Sequence, residues 1–183
     1  IEVKLGAGWV PPSDIQDFAA QLLSGKPTHF NIQYVPSQGF WLADYTNTGR
    51  NAVGGSKTAT EVWATPRKGF MDLLEAGLNN KSIQIYNKDA EGNSVLDREA
   101  TNAAAAKVQE IKQAFKDWIW ENDARRQRLH RYYNDNFNNV RPISYNGAHQ
   151  TFPGMNPGMA LRAHQINCVW QVVTSGKGLA AHE

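Results

Sequence analysis

The sequence contains one cysteine, no long apolar run and no strong excess of charge of either sign. Its one cysteine, Cys168, excludes an internal disulfide and a zinc site built from several thiolates. A single cysteine is typical of proteins in the reducing cytosol, so we predict a cytoplasmic location. No apolar run approaches the roughly 18 residues that a membrane-spanning helix requires, and we therefore expect no membrane partner.

Charge of neither sign dominates. Nineteen Lys and Arg against 17 Asp and Glu leave a formal net charge of +2. A dedicated nucleic-acid binder shows a stronger bias or a local cluster, so the distribution of basic residues matters more than their sum. With 183 residues, 41% of them hydrophobic, the chain is long enough for one core. It starts at Ile1 without a methionine, which indicates an excised segment or a processed product.

A phosphate-binding loop is also lacking, although residues 49–58, GRNAVGGSKT, are similar to one. Such a loop needs a glycine, four free residues, then Gly-Lys and a hydroxyl residue, directly between a buried strand and a helix. Here Gly55 and Ser56 separate Gly54 from Lys57, and the preceding residues are polar. The lysine is out of register, and we interpret the segment as a plain loop.

No catalytic or metal-binding constellation is apparent. His29, His149, His164 and His182 are scattered, without the spacing that places two ligands one helical turn apart. His164 and Cys168 have a four-residue separation that suits a nucleophile and its base, but no third partner or oxyanion site is evident. We therefore predict no catalytic residue and no metal site.

What the sequence does contain begins with a helix and a hairpin. Pro12 stands at the start of an amphipathic segment that Ser24 and the glycine after it end. FNIQYV and FWLADY are rich in aromatic and branched residues, and the turn residues Pro36 to Gly39 separate them. These features predict a helix followed by a β-hairpin.

The next segments predict a loop, a helix and a second hairpin. Residues 46–60 are polar and predict a loop. Thr65 with Pro66 after it indicates a helix start, and the apolar stripe that follows extends to a stop between Gly77 and Asn80. SIQIYN alternates as a strand does, and a turn leads from it toward a short strand over residues 94–96.

The second half of the chain is dominated by helical patterns. A long helix is predicted from Asp97, with an alanine-rich start and one apolar face. That face comprises Val108, Ile111, Phe115, Trp118 and Ile119. Asn122 and Asp123 offer a break before a second helix that extends to about Asn138, with Leu129, Tyr133 and Phe137 on one side. The predicted fold class is α+β, with an N-terminal helix and β-hairpins followed by a mostly helical C-terminal half.

The second of these helices carries the one dense basic cluster in the sequence. Arginine binds phosphate in a forked geometry and tyrosine stacks on bases, so the cluster is typical of a DNA-binding surface. Its candidate DNA-binding residues are Arg125, Arg126, Arg128, Arg131 and Tyr132. The alternative is a solvated helix face that Asp123, Glu121 and Glu110 partly neutralise.

Toward the C-terminus, a segment rich in Gly, Pro and Asn predicts an extended connector. LRAHQINCVWQVV follows, with Leu161, Cys168 or Val169, and Val172 at helical spacing, and it predicts a helix. SGKGLAAHE then begins an apolar strand.

Three stretches carry a resemblance to a known family: LGAGWVPPSDIQDF, DWIWENDARRQRLHRYYNDNFNNVRP, and FPGMNPGMALRAHQINCVW with the trailing GLAAHE. They resemble the region just upstream of the ATPase motor in very large bacterial and phage proteins. These proteins combine an adenine-specific DNA methyltransferase-like part with a superfamily-two, Swi/Snf-type helicase part, and they travel on phages and conjugative elements. The resemblance spans nearly the whole chain and is loosest from Thr28 to Asn80.

The resemblance implies a domain organisation and a set of ligands. Residues 1–150 would form an accessory α+β domain, and residues 151–183 a connector, an adenine-reading helix and the first motor strand. In that family the strand matching GLAAHE leads into the phosphate-binding loop, so ATP and Mg belong to the parent protein and this chain holds no cofactor. Gln165 matches the adenine-reading glutamine, and Arg162 lies one helical turn before it. Ala163 stands where a proline is common.

Three hypotheses about function follow. The first is a segment of a DNA helicase or translocase with a methyltransferase, which braces the motor and contacts DNA; its partners are DNA and the motor and methyltransferase parts of the same parent chain. The second is a structural connector with no ligand of its own. The third is an unrelated small enzyme that uses Cys168 and His164.

In the isolated chain, residues past about Ser175 are predicted to be disordered or rearranged, because their strand lacks its sheet.

Overall fold

The structure is a computed structural model that describes residues 3–138, 143–156 and 158–178. The chain divides into two compact units, Ile1–Asn136 and Phe137–Glu183. The helices are α1 (Pro12–Leu22), α2 (Asn47–Ala52), α3 (Phe70–Leu78), α4 (Arg98–Glu121), α5 (Asp123–Phe137) and α6 (Ala163–Ser175). The strands are β1 (Phe30–Val35), β2 (Phe40–Tyr45), β3 (Tyr86–Lys88) and β4 (Ser94–Leu96). The predicted α+β class is confirmed.

Two separate antiparallel hairpins make up the β structure of the described residues. In the first, Phe30 pairs with Tyr45 and Val35 with Phe40, so the predicted turn from Pro36 to Gly39 is confirmed. In the second, β3 pairs with β4 in a register that sets Tyr86 opposite Leu96. The strand predicted from SIQIYN is shorter than expected, because Ile83 and Ile85 turn into the core before the pairing begins.

The core of the first unit lies between α1, the first hairpin, α3 and α4. The predicted apolar face of α4 is buried throughout, as are Phe18 on α1 and Trp41 on β2. Phe18 stands edge-on to Phe115 at 5.2 Å and lies 5.3 Å from Trp118, measured between ring centroids. The predicted start of α4 at Asp97 is confirmed, and a side-chain oxygen of Asp97 caps the helix by accepting a hydrogen bond from the amide of Ala100 at 2.9 Å.

Two local predictions were wrong. Residues 46–60 are not a plain loop, because the Thr46 hydroxyl accepts a hydrogen bond from the Gly49 amide and starts the short helix α2. Thr65 does not cap α3; its hydroxyl accepts from the amide of Lys68 and closes a turn, and α3 begins after Gly69. In both places the threonine hydroxyl selects the local structure, and the sequence pattern alone did not show which structure it selects.

Gly49 is required by packing, which supports our interpretation of GRNAVGGSKT as unrelated to phosphate binding. A Cβ at this position would lie 1.9 Å from the carbonyl oxygen of His29. The amide of Gly54 donates to the carbonyls of Gly49 and Arg50 in the adjacent helix. These backbone groups therefore make contacts within the protein rather than contacts with a phosphate.

The outer edge of β2 is covered by side chains of α3 and of its C-cap residue, Asn79. The Trp41 amide donates to Asn79 Oδ1 at 2.7 Å, the Trp41 carbonyl accepts from Asn79 Nδ2 at 2.8 Å, and the Ala43 amide donates to Glu75 Oε2 at 3.1 Å. An unpaired strand edge is a template for association with another chain. Here the helix satisfies that edge with an amide and a carboxylate.

We expect Asn79→Ala to lower the free energy of unfolding by about 1–2 kcal/mol, because both main-chain groups of Trp41 lose their partner in a partly buried place. Urea denaturation measures the change. Gln33→Ala, on the exposed part of β1, is the control and should change the value by less than about 0.5 kcal/mol. Equal values for the two variants would show that the edge contacts contribute nothing.

In the second unit, the described part of the connector packs on α6. The Gly147 amide donates to Asn167 Oδ1 at 2.9 Å, and His149 stands edge-on to Trp170 at 4.6 Å. The helix predicted from LRAHQINCVWQVV is confirmed, but none of its residues is fully buried, so its apolar stripe is not a core face within this unit. The predicted final strand lies outside the described residues, except for its first positions.

Candidate nucleic-acid interface

The four arginines of α5 that are clustered in sequence do not share one face of the helix. At about 3.6 residues per turn, Arg125 and Arg128 lie about 60° apart, on one side of the buried Leu129. Arg126 lies on the other side of Leu129, and Arg131 lies nearly opposite it. The contacts of these side chains differ accordingly. The sequence cluster therefore divides into arginines that hold the fold and arginines that face outward.

Arg128 forms a two-pronged ion pair with Asp14 of α1. Its Nη1 donates to Asp14 Oδ2 at 3.1 Å, and its Nη2 donates to Oδ1 of the same carboxylate. The Asp14 side chain is only 1% exposed, whereas Arg128 is 51% exposed. Asp14 also lies in the first turn of α1, where the helix dipole favours a negative charge. The hydrogen bond to Asp14 raises the pKa of Arg128.

Arg125 closes the C-terminal end of α4. Its Nε donates to the carbonyl of Ile119 at 3.1 Å, and Nη2 donates to the carbonyl of Trp118 at 2.5 Å. Carbonyls in the last turn of a helix lack intrahelical partners, so this arginine satisfies groups that water would otherwise bind. Its guanidinium also stacks on the Trp118 ring, 3.5 Å from the ring centroid. Burial lowers the pKa of Arg125, against the opposite influence of Asp14, Asp17 and Glu121.

Apolar and aromatic contacts complete the attachment of α5. Leu129 is fully buried, and Tyr133 stands edge-on to Trp9 of the N-terminal segment at 5.2 Å. Phe137, predicted on the same side, is 55% exposed. The helix is thus held on the first unit by an ion pair, a cation–π contact, a buried leucine and an aromatic pair.

The other predicted DNA-binding residues remain on the surface. Arg126 pairs with Asp123 at 2.6 Å, one of the neutralising pairs that the sequence predicted. Glu110 pairs instead with Lys107 on its own helix. Arg131 and Tyr132 line a shallow groove that also contains the carboxylate-bearing Asp135. This groove offers a phosphate the Arg131 guanidinium and the Tyr132 ring, with the Asp135 carboxylate beside them.

Gln165 and Arg162 come together at the N-terminus of α6. The side-chain oxygen of Gln165 accepts a hydrogen bond from the Arg162 amide at 2.8 Å, so it caps the helix. Helix α6 begins at Ala163, so this helix start does not require a proline. Both side chains are exposed. Their role toward adenine stays a prediction.

The structure gives less support to the other hypotheses that the sequence raised. His164 and Cys168 lie one turn apart on α6, and the enzyme hypothesis has no support beyond that spacing. Within residues 3–138, 143–156 and 158–178, no group of three His, Cys, Asp or Glu is placed to hold a metal ion. In the same residues, no helix combines the length and the apolar character needed to cross a bilayer.

Sequence reasoning missed Asp14, on which the position of α5 depends. Its one signal was an acidic residue between the apolar positions of α1, in a turn where acids are common for helix-dipole reasons alone. Its partner lies 114 positions along the chain. A pairing over that separation is set by the tertiary fold, and no local pattern predicts it.

A domain of unknown function, DUF8437, matches residues 4–139. The match covers most of the chain and nearly all of the first compact unit, and the chain belongs to this family. No curated protein and no solved structure matches it.

Proposed function

We propose that this member of the DUF8437 family is an accessory module of a cytoplasmic DNA helicase or translocase, linked to an adenine-specific methyltransferase on a phage or mobile element. Its task is to brace the ATPase motor. The resemblance of the stretches around α1, α5 and α6 supports the type of parent protein. The attachment of α5 to α1 and α4 is the observation that carries the bracing role.

The physical reason is that α5 is the last helix of the first unit before the chain continues into the second. A helix held at several points cannot rotate without breaking an ion pair whose carboxylate is buried. It therefore holds its own C-terminal end, at the boundary of the first unit, in place on that unit. In the parent protein, ATP and Mg would bind in the motor, and Gln165 with Arg162 would contact the adenine.

The test compares Arg128→Lys with Arg131→Lys in the parent protein, measuring DNA-stimulated ATP hydrolysis and DNA affinity. Lysine keeps the charge but not the two-pronged geometry. Bracing predicts a severalfold lower stimulated rate for Arg128→Lys at unchanged DNA affinity, and no effect of Arg131→Lys. An unchanged rate in Arg128→Lys would refute it.

DNA contact by α5 is a second candidate function, which the exposure of Arg126, Arg131 and Tyr132 favours. Fluorescence anisotropy of labelled single- and double-stranded DNA, at low and moderate salt, tests it with Arg126→Ala/Arg131→Ala. Salt-dependent binding that this variant loses while folded would establish DNA contact. No binding of either DNA would leave α5 a structural connector.

A further inference from the structure

A second basic surface of the first unit lies away from α5, in a groove of about 460 Å³ between the N-terminal segment, the end of α3 and one flank of α4. Its floor contains Val3, Leu5 and Leu78. Its polar lining consists of Lys4, Asn80, Gln109, Lys112, Gln113 and Lys116. Neither the function proposed above nor the sequence patterns assign a role to this groove.

The walls of the groove are held in fixed conformations. Residues 4–7 form a tight turn, in which the Ala7 amide donates to the Lys4 carbonyl at 3.1 Å and Gly6 has a φ of 91°. Glycine at the third position with positive φ is typical of a type II turn. On the other side, α3 ends in a Schellman motif: Asn80 has a φ of 51°, and the amide of Lys81 donates to the carbonyl of Ala76.

The charged residues that line the groove, among those that the structure describes, are all basic. Among the described residues, its lining contains three lysines and neither an aspartate nor a glutamate. Lys112 and Lys116 are four residues apart on α4, so their side chains lie on the same flank and repel one another. Lys112 is steadied by donating to Asn80 Oδ1 at 2.7 Å, a neutral acceptor that leaves its charge uncompensated.

The acidic residues of α4 lie on its opposite flank. Helical geometry places Glu99, Glu110 and Asp117 together, away from Lys112 and Lys116. Glu110 is paired with Lys107, and Asp117 accepts two hydrogen bonds from Gln113. The acidic residues of α4 thus lie away from the groove, and the flank that carries Lys112 and Lys116 faces it.

We propose that this groove binds phosphate groups of a nucleotide or of a nucleic-acid strand. Lys112 and Lys116 supply the charge, and the exposed amide of Gln109 supplies a hydrogen bond. Closely spaced ammonium groups suit a multiply charged anion, and lysine binds phosphate as a point charge. The groove contrasts with the α5 surface, where carboxylates lie beside the arginines.

Isothermal titration of the 183-residue chain with pyrophosphate, ATP and a short single-stranded oligothymidylate, at low and moderate salt, tests the proposal. The decisive variant is Lys112→Gln/Lys116→Gln. Its matched control is Lys57→Gln/Lys88→Gln, which removes the same amount of charge from two exposed lysines outside the groove. We expect at least one probe to bind, the groove variant to weaken that binding about tenfold, and the control to change it less than about twofold.

The probes separate the two sources of phosphate. Binding of pyrophosphate and ATP would identify a small-molecule site, and binding of the oligonucleotide alone would identify a strand-binding surface. If no probe binds, or if both double variants weaken binding equally, the proposal is wrong. Lys116 is exposed, so Lys116→Gln alone keeps the fold even if the double variant does not. Unchanged binding in this single variant would also overturn the proposal.

Discussion

Replacing Arg128 with alanine is expected to lower the free energy of unfolding by about 2–3 kcal/mol, because the buried carboxylate of Asp14 loses its partner. This loss is at or below the loss that follows from removing one partner of a fully buried ion pair, because about half of Arg128 is already exposed to water. Urea denaturation measures it. Arg128→Lys should lower the free energy of unfolding by less, because an ammonium group still reaches one oxygen of the Asp14 carboxylate.

Arg131→Ala provides the control on the same helix. Arg131 is exposed and lies in the shallow surface groove, so its removal should change stability by less than about 0.5 kcal/mol. Equal losses in the two variants would mean that the loss at Arg128 reflects helix propensity or net charge. The assignment of Arg128 to the fold would then be wrong.

Gly6→Ala is expected to lower the free energy of unfolding by about 3 kcal/mol, at least as much as Arg128→Ala, because backbone strain and a steric clash with the backbone combine. Gly6 has a φ of 91°, and a Cβ there would lie 1.9 Å from the carbonyl oxygen of Leu78. Neither backbone segment can move freely. The Gly6 carbonyl accepts a hydrogen bond from Trp41 Nε1 at 3.1 Å, and Leu78 is in the last turn of α3. Thermal and urea unfolding both measure the loss.

Gly39→Ala separates the strain from the clash. Gly39 also has a positive φ, of 68°, but no atom lies within 4 Å of the Cβ that alanine would add. We expect Gly39→Ala to lower the free energy of unfolding by about 1 kcal/mol, from backbone strain alone. A loss at Gly6 no larger than that at Gly39 would show that the segment from Lys4 to Ala7 can move away from α3.

Much of the fold was predictable because its determinants are local. The periodic apolar face of α4 and its Asp97 cap lie within one stretch of sequence, as do the turn residues of the first hairpin. Thr65 and Thr46 were mispredicted for a related reason. A threonine hydroxyl accepts from an amide three residues ahead both in a turn and at a helix start, and later residues decide between them.

The candidate site was less predictable. Sequence identified the arginines of α5 as a group, but the helix distributes them, and distant residues decide what each one contacts. Arg125 meets the end of the preceding helix, and Arg128 meets a carboxylate near the N-terminus. The groove of Lys112 and Lys116 had a sequence signal, since the charges of α4 segregate by helical position. Its other wall comes from the turn at Gly6, which no periodicity links to α4.

A double-mutant cycle measures whether Arg128 fixes α5 to the first unit through Asp14. The cycle compares the unfolding free energies of the wild-type chain, Asp14→Ala, Arg128→Ala and the double variant. We predict a coupling of about 1–2 kcal/mol, so that the second substitution costs much less once the first is made. Losses that add to within about 0.5 kcal/mol would show instead that α5 is held without this ion pair.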